Sequence, residues 1–129
     1  MSAELAHLFW AMVLFQVKHF ICDFVIQTKY QLRNKGTYGH PGGLLHSGLH
    51  GIMSVPAVAL LTGAPLLIVG LPLAEAVVHY HVDWTKAGVT RLSVVKDDSN
   101  LYWALFGADQ FVHQATYLVM LGLLVRLAA

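Results

Sequence analysis

Four pairs of side chains that can hold a metal recur at one spacing: His19 and Asp23, His46 and His50, His79 and Asp83, Asp109 and His113. Residues four apart on a helix lie one above the other on one face. Each pair falls in or beside a different apolar segment. Four helices that each turn two such side chains inward make the plan of a metal centre inside a bundle. Chance alone gives about 1.7 pairs of His, Asp or Glu at this separation in a chain of this composition. The sequence has five, counting Glu75 with His79.

Five imidazoles and three carboxylates suit zinc first, with iron or manganese as alternatives. Eight ligands exceed one tetrahedral shell and fit two ions that share a bridging carboxylate or water. Two such ions clamp the attacking and leaving oxygens of a hydrolysis, and a bound metal lowers the pKa of water towards 7. One of Asp23, Asp83 and Asp109 could then act as base rather than ligand. The spacing does not choose among them.

The surroundings are those of a membrane protein. Of the 129 residues 57% are hydrophobic and 12% charged, where a soluble domain carries about 25% charged residues. A net charge of +1 argues against a nucleic-acid footprint. One cysteine, Cys22, excludes an internal disulfide and a CxxC site. The length suits one domain over residues 1–129, and the expected architecture is all-α, a four-helix transmembrane bundle. The first segment, with Lys18, His19 and Asp23 inside it and no basic start, reads as a resident helix and not as a cleaved signal.

Hydropathy places the helices at about 3–27, 44–61, 65–86 and 101–127. A polar stretch with five helix-breaking Gly and Pro residues separates the first two. It has room for a short interfacial helix around Tyr30 to Asn34. Gly48, Gly51 and Ser54 should let the second helix approach a neighbour closely, and Pro56 should kink it. Asp97, Asp98, Ser99 and Asn100 supply an N-cap for the last helix. Trp10, Trp84, Trp103 and Tyr102 read as interface anchors, and Cys22 as packing.

Six of the eight Lys and Arg residues lie in the first-to-second and third-to-fourth connections: Lys29, Arg33, Lys35, Lys86, Arg91 and Lys96. The positive-inside tendency makes that side cytoplasmic, with both termini outside and the protein multi-pass in a bacterial inner membrane. All four pairs then fall at one depth, in the inner third, which the spacing rule does not require.

Weaker candidates surround the pairs. Glu75 lies a turn deeper than His79, as a partner to a ligand, a proton acceptor or a helix contact. Gln27 and Gln110 could orient ligands or substrate. Lys86 could bind an anionic group, although a Lys at a helix end ordinarily snorkels to the interface. His7, His40 and His81 stand outside the pattern.

At these residues the chain resembles a known family. "HFICDFVIQTKYQLRNK", "HSGLH", "HYHVDWTK" and "DQFVH" resemble the bacterial domain-of-unknown-function 3307 family of small integral membrane proteins, over nearly the whole chain. More distantly, the His-rich helices are similar to membrane-bound metal-dependent hydrolases. The resemblance implies a membrane location and a metal.

The leading expectation is a metal-dependent hydrolase acting with metal-activated water on a lipid-like ester or phosphoester, with membrane lipid around it and a homo-oligomer possible. A divalent-cation or proton transporter would need a polar route continuing outward, and the outer halves of the helices are almost wholly apolar. A di-iron oxidase would share the bundle plan, with more carboxylate and less histidine. A structural subunit would use the same groups as interhelical hydrogen bonds, an expensive way to hold four helices.

Overall fold

Helix starts follow local chemistry. Ser2 caps α1 (Ala3–Phe20), its hydroxyl accepting from the Leu5 amide. Thr28 and Gln31 form a reciprocal capping box on α2 (Lys29–Asn34). His40 accepts from the Gly42 amide at the start of α3 (Pro41–Ala59), and Pro41 occupies its first turn. Pro65 opens α4 (Pro65–Leu92) in the same way. The Ser99 hydroxyl accepts from the Tyr102 amide at the start of α5 (Asn100–Leu127). The computed structural model describes residues 2–93, 96 and 98–127; Asp97, one of the expected capping residues, lies outside them.

The four long helices close a ring, with α1 against α3, α3 against α4, α4 against α5 and α5 against α1. The short α2 packs on α3. Among the described residues there are five α-helices and no strand. The four expected segments correspond to the four long helices, with three corrections. The first ends α-helical at Phe20 and continues as a π turn over Ile21–Val25, closed by the Ile26 amide on the Ile21 carbonyl at 2.9 Å. The second starts at Pro41, since a Pro in the first turn and the His40 cap outweigh the Gly residues beside them. The third runs on to Leu92, six residues past the expected end at Lys86.

Two helices, Ala3–Val25 and Pro65–Leu92, are long and apolar enough to cross a membrane. The distribution of polarity points the same way. Among the described residues twelve polar or charged side chains are buried, against nine apolar ones. Leu66, Ile52, Phe111 and Leu92 are each more than two-thirds exposed. Soluble monomers rarely expose apolar surface on this scale.

The apolar core is confined to one end. Ala11 and Phe15 of α1, Ala57 and Val58 of α3, and Tyr117, Met120 and Leu124 of α5 pack together there. Gly51 sets the α3–α4 approach: a Cβ at this position would lie 2.7 Å from the Pro72 carbonyl oxygen. Gly48, expected to act likewise, faces open space. Ser54 meets a carboxylate instead, as described below.

Candidate metal centre

The polar interior begins where the apolar core stops. Tyr117 marks the boundary, its ring stacked on Phe15 with centroids 5.2 Å apart and its hydroxyl 2.9 Å from His19 Nδ1. Beyond it, α1, α3, α4 and α5 each contribute to one cluster. The π turn carries Asp23 inward and still leaves its Oδ2 3.3 Å from His19 Nε2. Such turns occur frequently at functional sites.

Asp23, His46, His50 and His79 form one group whose ligand atoms all lie within 4.8 Å of one another. Asp23 Oδ1 is 3.1 Å from His46 Nε2 and 3.1 Å from His50 Nε2. His46 Nε2 is 3.2 Å from His79 Nε2. A metal about 2.0 Å from tetrahedral donors sets them about 3.3 Å apart, so these separations match the edges of such a shell. A second group, His79, Asp83 and His113, shares His79 with the first. Asp83 lies between them. Its Oδ2 is 3.3 Å from His46 Nε2 and its Oδ1 is 3.9 Å from His113 Nε2. Asp109 Oδ1 is 3.4 Å from His113 Nε2.

The donors also fit a cation by what they do not bond. Asp83 Oδ2, Asp109 Oδ1, His113 Nε2 and His79 Nδ1 are buried without a hydrogen-bond partner. Buried polar atoms are nearly always satisfied; Asp109 Oδ1 and His113 Nε2 face each other at 3.4 Å, Asp83 Oδ2 faces His46 Nε2 at 3.3 Å, and Gln114 Oε1, outside the cluster, is a further such atom. The imidazoles are stacked face to face, His50 on His79 at 3.7 Å and His79 on His113 at 4.0 Å between centroids. Stacking at these distances disfavours protonation of all three, since like charges repel.

Six of the eight expected ligands therefore fall in the two groups. Two do not. The ring nitrogens of His19 are engaged elsewhere, Nε2–H donating to Gln110 Oε1 at 2.9 Å and Nδ1 accepting from Tyr117; His19 is placed to orient Asp23. Asp109 is held at 3.1 Å by Lys86 and touches the second group through His113 alone.

The weaker candidates find places too. The Gln27 amide lies 3.1 Å from His46 Nε2. Gln110 bridges His19 and Asp109. Glu75 contacts none of the grouped donors; it accepts from Lys18 Nζ at 2.7 Å and from Ser54 Oγ at 2.6 Å. Lys18 also donates to the His50 carbonyl at 3.2 Å, so the pair braces the ligand-bearing turn of α3. Tyr117, Ser54 and Lys35, which is paired with Asp83 at 3.2 Å, are further partners of the cluster. The four-residue stride carried one step on would have found two of them: 46, 50, 54 on α3 and 109, 113, 117 on α5.

A ring of helices around a buried His and Asp cluster, with apolar surface outside, is the class that fold and site define. By sequence the chain belongs to the DUF3307 family of proteins of unknown function, whose model matches residues 11–128. No curated protein matches the chain, and no solved structure does; the expected likeness to metal-dependent hydrolases has no support there.

Proposed function

We propose that this is a membrane-embedded, metal-dependent hydrolase acting on a lipid-like ester or phosphoester. The observation that carries it is the convergence of Asp23, His46, His50 and His79 within 4.8 Å of one another, three of their separations being 3.1–3.2 Å. In this reading the four long helices span a bacterial inner membrane, with the basic connections cytoplasmic and both termini outside. The two spanning-length helices and the many exposed apolar side chains support the membrane location; the four spans and their orientation rest on the hydropathy and charge pattern.

Asp23, His46, His50 and His79 would hold one divalent ion, zinc before iron or manganese, and Asp83 and His113, with Asp109 beside His113, would help to hold a second. Bound metal supplies hydroxide near neutral pH and polarises the scissile group. The chain's own residues do the rest. His19, Gln27 and Gln110 orient ligands, and Lys18 with Glu75 fixes the α3 turn. The apolar core closes the site away from the far face.

That closure favours hydrolysis over transport. A conducting protein needs a polar route past Glu75, where Ala11, Phe15, Ala57, Val58 and Met120 fill the interior. The test is hydrolysis of a panel of phospholipids and lipid-linked phosphoesters by metal-loaded protein, against the His46→Ala variant. Product formed by the parent and not by the variant is expected. Tight metal binding with no turnover, or cation flux in proteoliposomes, would sink the proposal.

A further inference from the structure

Beside the cluster, at the end that carries both basic connections, lies a pocket of about 430 Å³. Four cations line it, Arg33 and Lys35 from the α2 region and Lys86 and Arg91 from α4, with Tyr102 of α5 opposite. One carboxylate lines it, Asp83, which belongs to the metal cluster. The cations are partly fixed. Lys35 reaches Asp83, Lys86 reaches Asp109 at 3.1 Å, and Arg91 donates to the Gly36 carbonyl at 2.9 Å. Each lysine spends one of its three donors in this way and the arginine one of five. The remaining donors and the surplus positive charge call for an anion. Two guanidinium groups and two ammonium groups fit the several oxygens of a phosphate better than a single carboxylate.

The pocket does not stand alone. An apolar groove of about 510 Å³ runs between α4 and α5, walled by Val77, Val78, Val82, Leu105 and Val112. Lys86 lines both spaces, so they meet at its side chain. Val77 lies nine residues from Lys86, about 14 Å along a helix. One leaflet of a bilayer with a core of about 30 Å is about 15 Å deep.

We propose that the basic pocket binds the phosphate headgroup of an anionic lipid, with its acyl chain in the α4–α5 groove. The charge of the pocket, its junction with the groove at Lys86 and the leaflet-long reach of that groove select this occupant. The assignment rests on the membrane reading above and names the substrate class of that site. It does not require that a metal be bound.

The test uses the full chain in detergent and measures binding of dioleoyl phosphatidic acid, dioleoyl phosphatidylcholine and glycerol 3-phosphate. Phosphatidic acid should bind at least tenfold tighter than phosphatidylcholine and at least a hundredfold tighter than glycerol 3-phosphate. The Arg33→Gln, Arg91→Gln double variant should lose at least tenfold in phosphatidic acid affinity with metal content unchanged. Arg33→Gln alone, at an exposed position, should lose about threefold and guards against misfolding of the double variant. Equal binding of the two lipids, or no effect of either variant, would overturn the headgroup site. Equal binding of phosphatidic acid and glycerol 3-phosphate would overturn the lipid occupant. Repeating the titration after chelation separates this proposal from the hydrolase reading. Binding that persists in metal-free protein belongs to the basic pocket; binding lost on chelation would mean that a metal holds the phosphate and would overturn the assignment to the arginines. Phosphatidic acid binding by a chain that never holds metal would leave the pocket standing and the hydrolase reading fallen.

Discussion

His46 Nε2 and His79 Nε2 face each other at 3.2 Å across the α3–α4 interface. Two imidazole nitrogens this close must share either a proton or a cation. With Asp23 3.1 Å from His46 and Asp83 3.3 Å from it, the surrounding carboxylates stabilise positive charge of either kind; in the proposed centre it is the metal. Removing either imidazole should therefore cost metal more than fold. His79→Ala should lower metal content to less than half of the parent's, with helix content by circular dichroism unchanged. Full occupancy in this variant would count against a ligand role.

The α3–α4 distance sets the cluster. Gly51→Ala would press a methyl group against the Pro72 carbonyl and push His50 off His79. An overpacked contact costs about 1–3 kcal/mol. The expected result is a lower melting temperature in detergent together with weaker metal affinity. Gly48→Ala, in open space on the same helix, is the control and should be neutral or stabilising by up to about 1 kcal/mol. Matching behaviour of the two variants would contradict the close-approach account.

Lys18 and Glu75 are each nearly inaccessible, 3% and 2% exposed, and joined at 2.7 Å. Breaking a buried pair from one side costs about 3–5 kcal/mol, because the other charge is left uncompensated. Lys18→Met should be strongly destabilising, and Lys18→Met with Glu75→Gln should recover much of the loss. Thermal unfolding of the three proteins measures this; additive losses would show that the pair is not a unit.

Metal binding should weaken as pH falls. Imidazoles and carboxylates bind metal only when deprotonated, so protons compete with the ion. Acidification should therefore release the metal, and elemental analysis after dialysis at successively lower pH follows the loss. Metal retained undiminished in acid would count against histidine and carboxylate ligands.

The four-residue stride makes the cluster legible because α-helical geometry stacks such residues; α3, α4 and α5 keep it, and the π turn after α1 still leaves Asp23 within 3.3 Å of His19. It could not say that His19 turns its nitrogens to Gln110 and Tyr117, since a helix face fixes direction but not the partner across the bundle. The π turn at Ile21–Val25 has no mark in the hydropathy pattern, which changes little with one added residue per turn. The extension of α4 past Lys86 was hidden by its polar residues: Lys86, Thr90 and Arg91 read as connection, yet they face the basic pocket from a continuing helix. Lys18 reads from the sequence only as a charged residue inside the first segment, and its burial depends on Glu75, 57 residues away. Long-range pairings of this kind carry no local signal.

Elemental analysis of the detergent-purified chain beside a His46→Ala, Asp83→Ala double variant tests the metal centre most directly. About two equivalents of zinc, iron or manganese in the parent, lost in the variant, is the expected result. No metal in the parent after reconstitution, or equal metal in both proteins, would contradict the centre and with it the hydrolase.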